Sequence, residues 1–152
     1  MVGKNACQMS NIADSGAMPV PSVFDVAAMS AIDAVPIIRA GLPASAYTVL
    51  SKVLGLTEAQ LGNKLGISPR TISHQRHLRA RLSSESTQKL VRGARIQQLG
   101  RKIFRTDMAV SQWLASPAQA LGGQAPIDLL DTDVGAQEVV ALLNGIAYGN
   151  VM

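Results

Sequence analysis

The chain of 152 residues has room for one domain of average size, or two small helical ones, with a real core. Its one cysteine, Cys7, excludes an internal disulfide and fits a reducing compartment. The net charge of +4 is unevenly spread: residues 51–105 carry twelve Lys and Arg against Glu58 and Glu85, a surplus of ten, while residues 106–152 carry five acids and no Lys or Arg.

A cationic middle of this kind attracts polyanions and makes their binding fall steeply with salt. The first 30 residues hold no signal-type apolar stretch, and no apolar run reaches the ~18 residues of a membrane span. The expectation is a soluble, cytoplasmic protein with no membrane partner.

In chain order, residues 1–42 read as a flexible or partly helical extension. Ser22 to Val35 predicts a short helix with Phe24, Ala27, Ala28, Ala31 and Ile32 on one side, and Pro36 and Gly41-Leu42-Pro43 read as punctuation. A second helix begins near Pro43 or Ala44 and runs to Leu54, with Tyr47, Leu50, Val53 and Leu54 as its apolar face. Gly55 stops it.

Residues 43–82 centre on a helix, a tight turn and a second helix. Thr57 is an N-cap with Gln60 placed to reach back to it, Leu61 and Leu65 form a narrow apolar stripe, and Gly62 admits a close neighbour. Gly66 supplies the positive φ of a sharp stop. Ser68 caps the next helix, Pro69 takes its first position, and Ile72 anchors it inward. Arg70, Thr71, Ser73, His74, Gln75 and Arg76 project outward as donors suited to base edges and phosphates. This is a helix-turn-helix pattern with one departure, Gln75 where a further apolar residue is common. A plain αα-hairpin in a helical core is the alternative, and the coincident positive charge favours nucleic acid. Ser68, Arg70, Thr71, Ser73 and His74 then read or position, and Arg76, Arg79 and Arg81 grip phosphate.

Residues 83–152 read as further helices. Ser83 caps a long one to about Phe104, with Leu90, Val91, Ala94, Ile96, Leu99 and Ile103 at helical spacing. Thr106-Asp107 opens another that ends at Ser116-Pro117, with Val110, Trp113 and Leu114 toward the core. Two single turns follow, near Pro117–Leu121 and Pro126–Leu130, and a last helix spans roughly Asp133 to Tyr148 before Gly149. No strand is expected, so the fold class is all-α. His74 and His77 stand at i, i+3, but no Cys, Asp or Glu is near enough in sequence to complete a metal site. With no phosphate loop and no nucleophile paired to a histidine, no cofactor, metal or catalytic residue is expected.

The second half also carries a resemblance. Leu82-Ser83, Trp113-Leu114, Ser116-Pro117, Ala120-Leu121-Gly122-Gly123, Pro126-Ile127-Asp128-Leu129-Leu130-Asp131-Thr132, Gly135, Val139, Leu143 and Ile146-Ala147-Tyr148-Gly149, in this order, resemble the Xre-type antitoxins of RES/Xre toxin–antitoxin pairs, over roughly residues 45–152. Ser86 and Lys89 depart from that pattern, which usually has Glu and Arg there. The resemblance implies a helix-turn-helix DNA-binding region followed by a small helical toxin-binding and dimerisation domain. It also implies a noncatalytic antitoxin that blocks a RES-domain, NAD-consuming toxin and represses its own operon as a homodimer on operator DNA. By position, the toxin contact would include Pro126, Leu129, Leu130, Ile146, Tyr148, Gly149, Asn150, Val151 and Met152. Tyr148, Val151 and Met152 would form a partly apolar tail with a terminal carboxylate, suited to a partner's cleft. The rival reading is a stand-alone dimeric helix-turn-helix regulator whose C-terminal half serves only dimerisation.

Overall fold

A computed structural model describes residues 20–149. Hydroxyl caps fix where six of the eight α-helices among the described residues begin, all but α3 and α5. α1 (Val23–Ala28) starts at Ser22, which shares a capping box with Asp25, and α2 (Ala31–Ala40) starts at Ser30, whose hydroxyl accepts from the Asp33 amide at 3.2 Å. The single helix expected from Ser22 to Val35 is therefore two. The break falls at Met29-Ser30, where a cap signal exists, and Pro36 lies inside α2 instead of ending it. Ile32, expected on the packed side, is 81% exposed.

α3 (Ser45–Leu54) ends on Gly55 in the left-handed region, as expected. α4 (Glu58–Leu65) and α5 (Pro69–Leu78) follow, then α6 (Ser84–Phe104), capped by the Ser83 hydroxyl on the Ser86 amide at 3.1 Å. α7 (Asp107–Ala115) is capped by Thr106. Two 3₁₀ turns, Gln119–Leu121 and Pro126–Leu129, lead to α8 (Asp133–Ala147), whose cap is the Thr132 hydroxyl rather than either flanking aspartate. Among the described residues there is no strand, only isolated bridges pairing Pro43 with Arg81 and Ala118 with Gln124. The fold is all-α.

α6 is the common wall. α1, α2, α3, α4, α7 and α8 all pack on it, and its Leu90, Val91, Ala94 and Ile96 are buried among Leu50, Leu65, Val110 and Leu143. Small residues make the approach possible: a Cβ on Gly93 would meet a Leu50 methyl at 3.3 Å, and one on Gly100 a Val110 methyl at 3.0 Å. Trp113 is half-buried against Phe104, ring centroids 5.6 Å apart. Among the described residues no buried side-chain polar atom lacks a partner: the Thr87 hydroxyl accepts from the Leu42 amide, and the Gln97 amide donates to Asp107. Among the described residues no helix is long and apolar enough to cross a membrane.

Candidate DNA-reading and partner-binding surfaces

The helix-turn-helix forms as its residues dictate. Thr57 and Gln60 make the reciprocal capping box at 3.1 and 2.9 Å. Gly66 ends α4 with φ +72°, and the Ile67 amide closes the turn on the Gly62 carbonyl at 2.8 Å. Leu61, Leu65, Ile67 and Ile72 are buried and lock the two helices together. Gly62 is required by its neighbours, since a Cβ there would lie 2.6 Å from the Ile67 carbonyl oxygen and 2.7 Å from the Tyr47 hydroxyl. Gln75, at the place of the missing apolar residue, is half-buried, and Leu78 is left 57% exposed at the end of α5.

Ser68 holds the N-cap position of α5, but its hydroxyl makes no cap hydrogen bond, contrary to expectation. With Pro69 lacking an N–H, the first amides of α5 and the exposed Ser68 hydroxyl are left for an outside acceptor. Arg70, Thr71, Ser73 and His74 are exposed, and none makes a side-chain hydrogen bond among the described residues. Arg79 caps the C-terminus of α5 in the left-handed region, φ +52°, and projects from a surface position. Arg81 is exposed with one guanidinium nitrogen donating to the Gly41 carbonyl at 2.9 Å.

Arg76 is placed differently from the sequence expectation. Its guanidinium donates to both Glu58 carboxylate oxygens, at 3.0 and 3.1 Å, and to the Thr48 hydroxyl at 2.9 Å. Its donors therefore tie α5 to α3 and α4, and a phosphate would have to compete for them. The Arg76 hydrogen bonds, opposed in part by burial, hold the Glu58 carboxyl below its ordinary value, while burial and then the Glu58 charge push the Tyr47 phenol up. The Tyr47 hydroxyl donates to the Glu58 carbonyl, completing a strut of three helices. His74 and His77 are exposed, and among the described residues no cluster of three metal-ligating side chains exists.

The C-terminal surface also differs from its expectation. Pro126, Ile127 and Leu130 are buried, holding their 3₁₀ turn against α4, α7 and α8, so Pro126 and Leu130 are not available to a partner. Asp128 is exposed and Leu129 half-buried on that turn. Ile146 is half-buried, Gly149 is exposed, and Tyr148 is 78% exposed at the C-cap of α8. Asn150, Val151 and Met152 lie outside the described residues. Met108 and Val134, which the sequence reading did not single out, are each 71% exposed on this half.

The two halves are stitched by charge. Lys64 pairs with Asp128, and Arg92 donates to Asp133 and to the Leu130 carbonyl, both at 3.2 Å. Within the C-terminal half, Arg101 pairs with Asp107 at 3.5 Å. Lys89 donates to the Gly66 carbonyl at 2.9 Å and pairs with Glu85. With Arg76 on Glu58, five of the twelve cations of residues 51–105 have a carboxylate partner among the described residues. The charge surplus read along the chain is thus larger than the charge offered to a polyanion.

Comparison with known proteins finds two family domains along the chain. Residues 33–95 match the antitoxin Xre-like helix-turn-helix domain, and residues 99–149 match the antitoxin Xre/MbcA/ParS C-terminal toxin-binding domain. The antitoxin Xre of Yersinia enterocolitica is 26% identical over 126 residues, covering 72% of this chain and 85% of that protein. The antitoxin Xre of Photorhabdus laumondii is 28% identical over 119 residues, covering 76% and 78%. A chain of the crystal structure of the M. tuberculosis MbcT–MbcA toxin–antitoxin complex superposes with a TM-score of 0.54 at 28% identity, covering 72% of this chain and 96% of that one. With both domains present in order and joined through α6, the chain belongs to the Xre family of antitoxins.

Proposed function

We propose that this antitoxin neutralises a RES-domain, NAD-consuming toxin by docking its C-terminal surface on it, and represses its own operon through the helix-turn-helix. The supporting observation is the coexistence of an exposed, unengaged polar face on α5 with an exposed Tyr148-Gly149 end on a matched toxin-binding domain. The protein performs no chemistry of its own; it acts by occupancy.

On DNA, a dimer presents two copies of α5 to successive major grooves ~34 Å apart. Arg70, Thr71, Ser73 and His74 meet base edges, while Ser68, the first amides of α5, Arg79 and Arg81 meet phosphate. Arg76 serves by fixing the angle of α5. On the toxin, Tyr148 and Gly149 lead the contact, with Leu129 and Ile146 behind them and Asn150, Val151 and Met152 continuing it. Pro126 and Leu130 support the adjoining turn from within.

Co-expression with the RES-domain protein of the same operon tests this reading. Growth rescue, co-purification and a shift of the operon's promoter fragment are expected. Deleting residues 149–152 is expected to abolish rescue and leave the promoter shift; rescue by the truncated protein overturns the toxin contact, and a promoter left unshifted overturns the repressor role.

A further inference from the structure

Two of the helices packed on α6 open on the same order of residue types. Ser22-Val23-Phe24-Asp25 starts α1 and Ser30-Ala31-Ile32-Asp33 starts α2, each serine hydroxyl accepting from the amide of the aspartate three positions on. The order stands once more in Asn11-Ile12-Ala13-Asp14, and the match continues to Ala17-Met18 against Ala28-Met29. Asn caps a helix as well as Ser does. On a helix begun there, Ile12, Ala13, Gly16 and Ala17 share one apolar side, small enough for close approach, and Asp14 falls at its flank. Residues 11–18 precede the described part of the chain.

A surface of matching character lies beside α1. An apolar groove of about 420 Å³ runs between α2, α6 and α8, with Ala34, Val91, Ile96 and Ala136 buried at its floor and Val35, Ile38 and Val140 on its walls. It follows α6 from Gln88 to Ile96, about 12 Å, the length of two helical turns. Two arginines line it. Arg92 is engaged by Asp133 and the Leu130 carbonyl, whereas Arg95 gives only its Nε, to the Ala27 carbonyl at 3.4 Å, and has no carboxylate partner among the described residues. The groove thus offers apolar walls and an unmatched cation, and the segment offers an apolar side and Asp14, the one acid of residues 1–19. The chain also enters at the right place. Arg95 holds the Ala27 carbonyl and Gln98 the Phe24 carbonyl, so α1 runs antiparallel to α6 and begins about one turn beyond the Ile96 end of the groove. The four links from Met18 to Ser22 reach up to about 14 Å, enough to lay the segment back into it.

We propose that residues 11–18 form a short helix seated in the groove between α2, α6 and α8, with Asp14 on Arg95. The tether favours this segment over a second copy of the chain, because attachment a few residues away holds it at a high effective concentration. Neither toxin nor DNA is needed for the contact.

The test uses the full-length protein. Cys7, the sole cysteine, takes a nitroxide label four residues ahead of the segment, and methyl signals of the isotope-labelled chain report its approach. The Val35, Ile38, Val91 and Val140 methyls are expected to lose most of their intensity until the label is reduced. Ile12→Glu, and separately Asp14→Arg, are expected to restore the signals, and adding Arg95→Glu to Asp14→Arg to bring the loss back. Groove signals that stay sharp in the wild type, or an equal loss in Ile12→Glu, overturn the inference; a double variant without the loss overturns the Asp14–Arg95 pairing. In a mixture with the nitroxide on one molecule and the isotopes on another, the latter carrying Cys7→Ser, no loss is expected. Loss in that mixture makes a second copy the occupant and overturns the inference.

Discussion

The guanidinium of Arg76, on α5, is forked onto the carboxylate of Glu58 at the start of α4, 3.0 and 3.1 Å away. Because Glu58 is held below its ordinary pKa, the pair contributes fully above the usual carboxylate range and loses its contribution as pH falls through the depressed native value. Both side chains are more than a third exposed, which limits the pair to about 1 kcal/mol, or a Tm change of roughly 2–4 °C. Glu58→Gln is expected to lower the Tm by up to that amount at pH 7, with the gap to wild type closing below about pH 4. Thermal melts across pH check it; a gap that persists in acid points to packing rather than charge.

Arg70 and Arg76 are expected to differ on DNA. Arg70→Ala removes an exposed cation that has no carboxylate partner among the described residues, and should flatten the dependence of log K on log salt by about one unit. Arg76→Ala should weaken binding with a smaller change in that slope, since its charge is already matched by Glu58. Promoter affinities at several salt concentrations separate the two roles.

Gly62→Ala is expected to destabilise the protein by ~1–3 kcal/mol through overpacking, since the new methyl meets a backbone carbonyl at 2.6 Å as well as the Tyr47 hydroxyl. Urea unfolding would show the loss. DNA affinity should fall with it, because the same carbonyl belongs to the turn that launches α5.

Tyr148 and Leu130 should part in the same way on the toxin side. Tyr148→Ala, at a 78% exposed position, is expected to shift stability by less than about 0.5 kcal/mol while weakening toxin inhibition. Leu130→Ala, fully buried, is expected to cost ~2–5 kcal/mol and to lose toxin binding only by loosening the turn. Paired melts and inhibition assays distinguish contact from support.

What local chemistry decides could be read directly. The Thr57–Gln60 box, the Gly66 stop, the Ile72 anchor and the span of α6 all follow from caps, spacing and a positive φ. Long-range pairings could not. Nothing in the sequence joins Arg76 to Glu58, eighteen positions away, or Lys64 to Asp128, sixty-four away, so Arg76, read as a phosphate contact, proved to be tied within the fold. Leu130 misled for a related reason: a short polar-flanked turn offers too few residues for a period, and only packing tells which of its leucines turns inward. Pro36 misled because a proline signals a break only when no better cap stands nearby, and Ser30 with Asp33 was the better one.

The two matched domains meet between residues 95 and 99, inside the unbroken α6. Register along this shaft fixes the bearing of one half against the other. Inserting a single residue there would swing everything downstream by about 100° and shift it by about 1.5 Å. A chimera that grafts this C-terminal half onto a foreign reader must therefore preserve helical phase and inherit lysines at positions 64 and 89; matching domain boundaries by sequence alone would deliver two sound parts facing the wrong way.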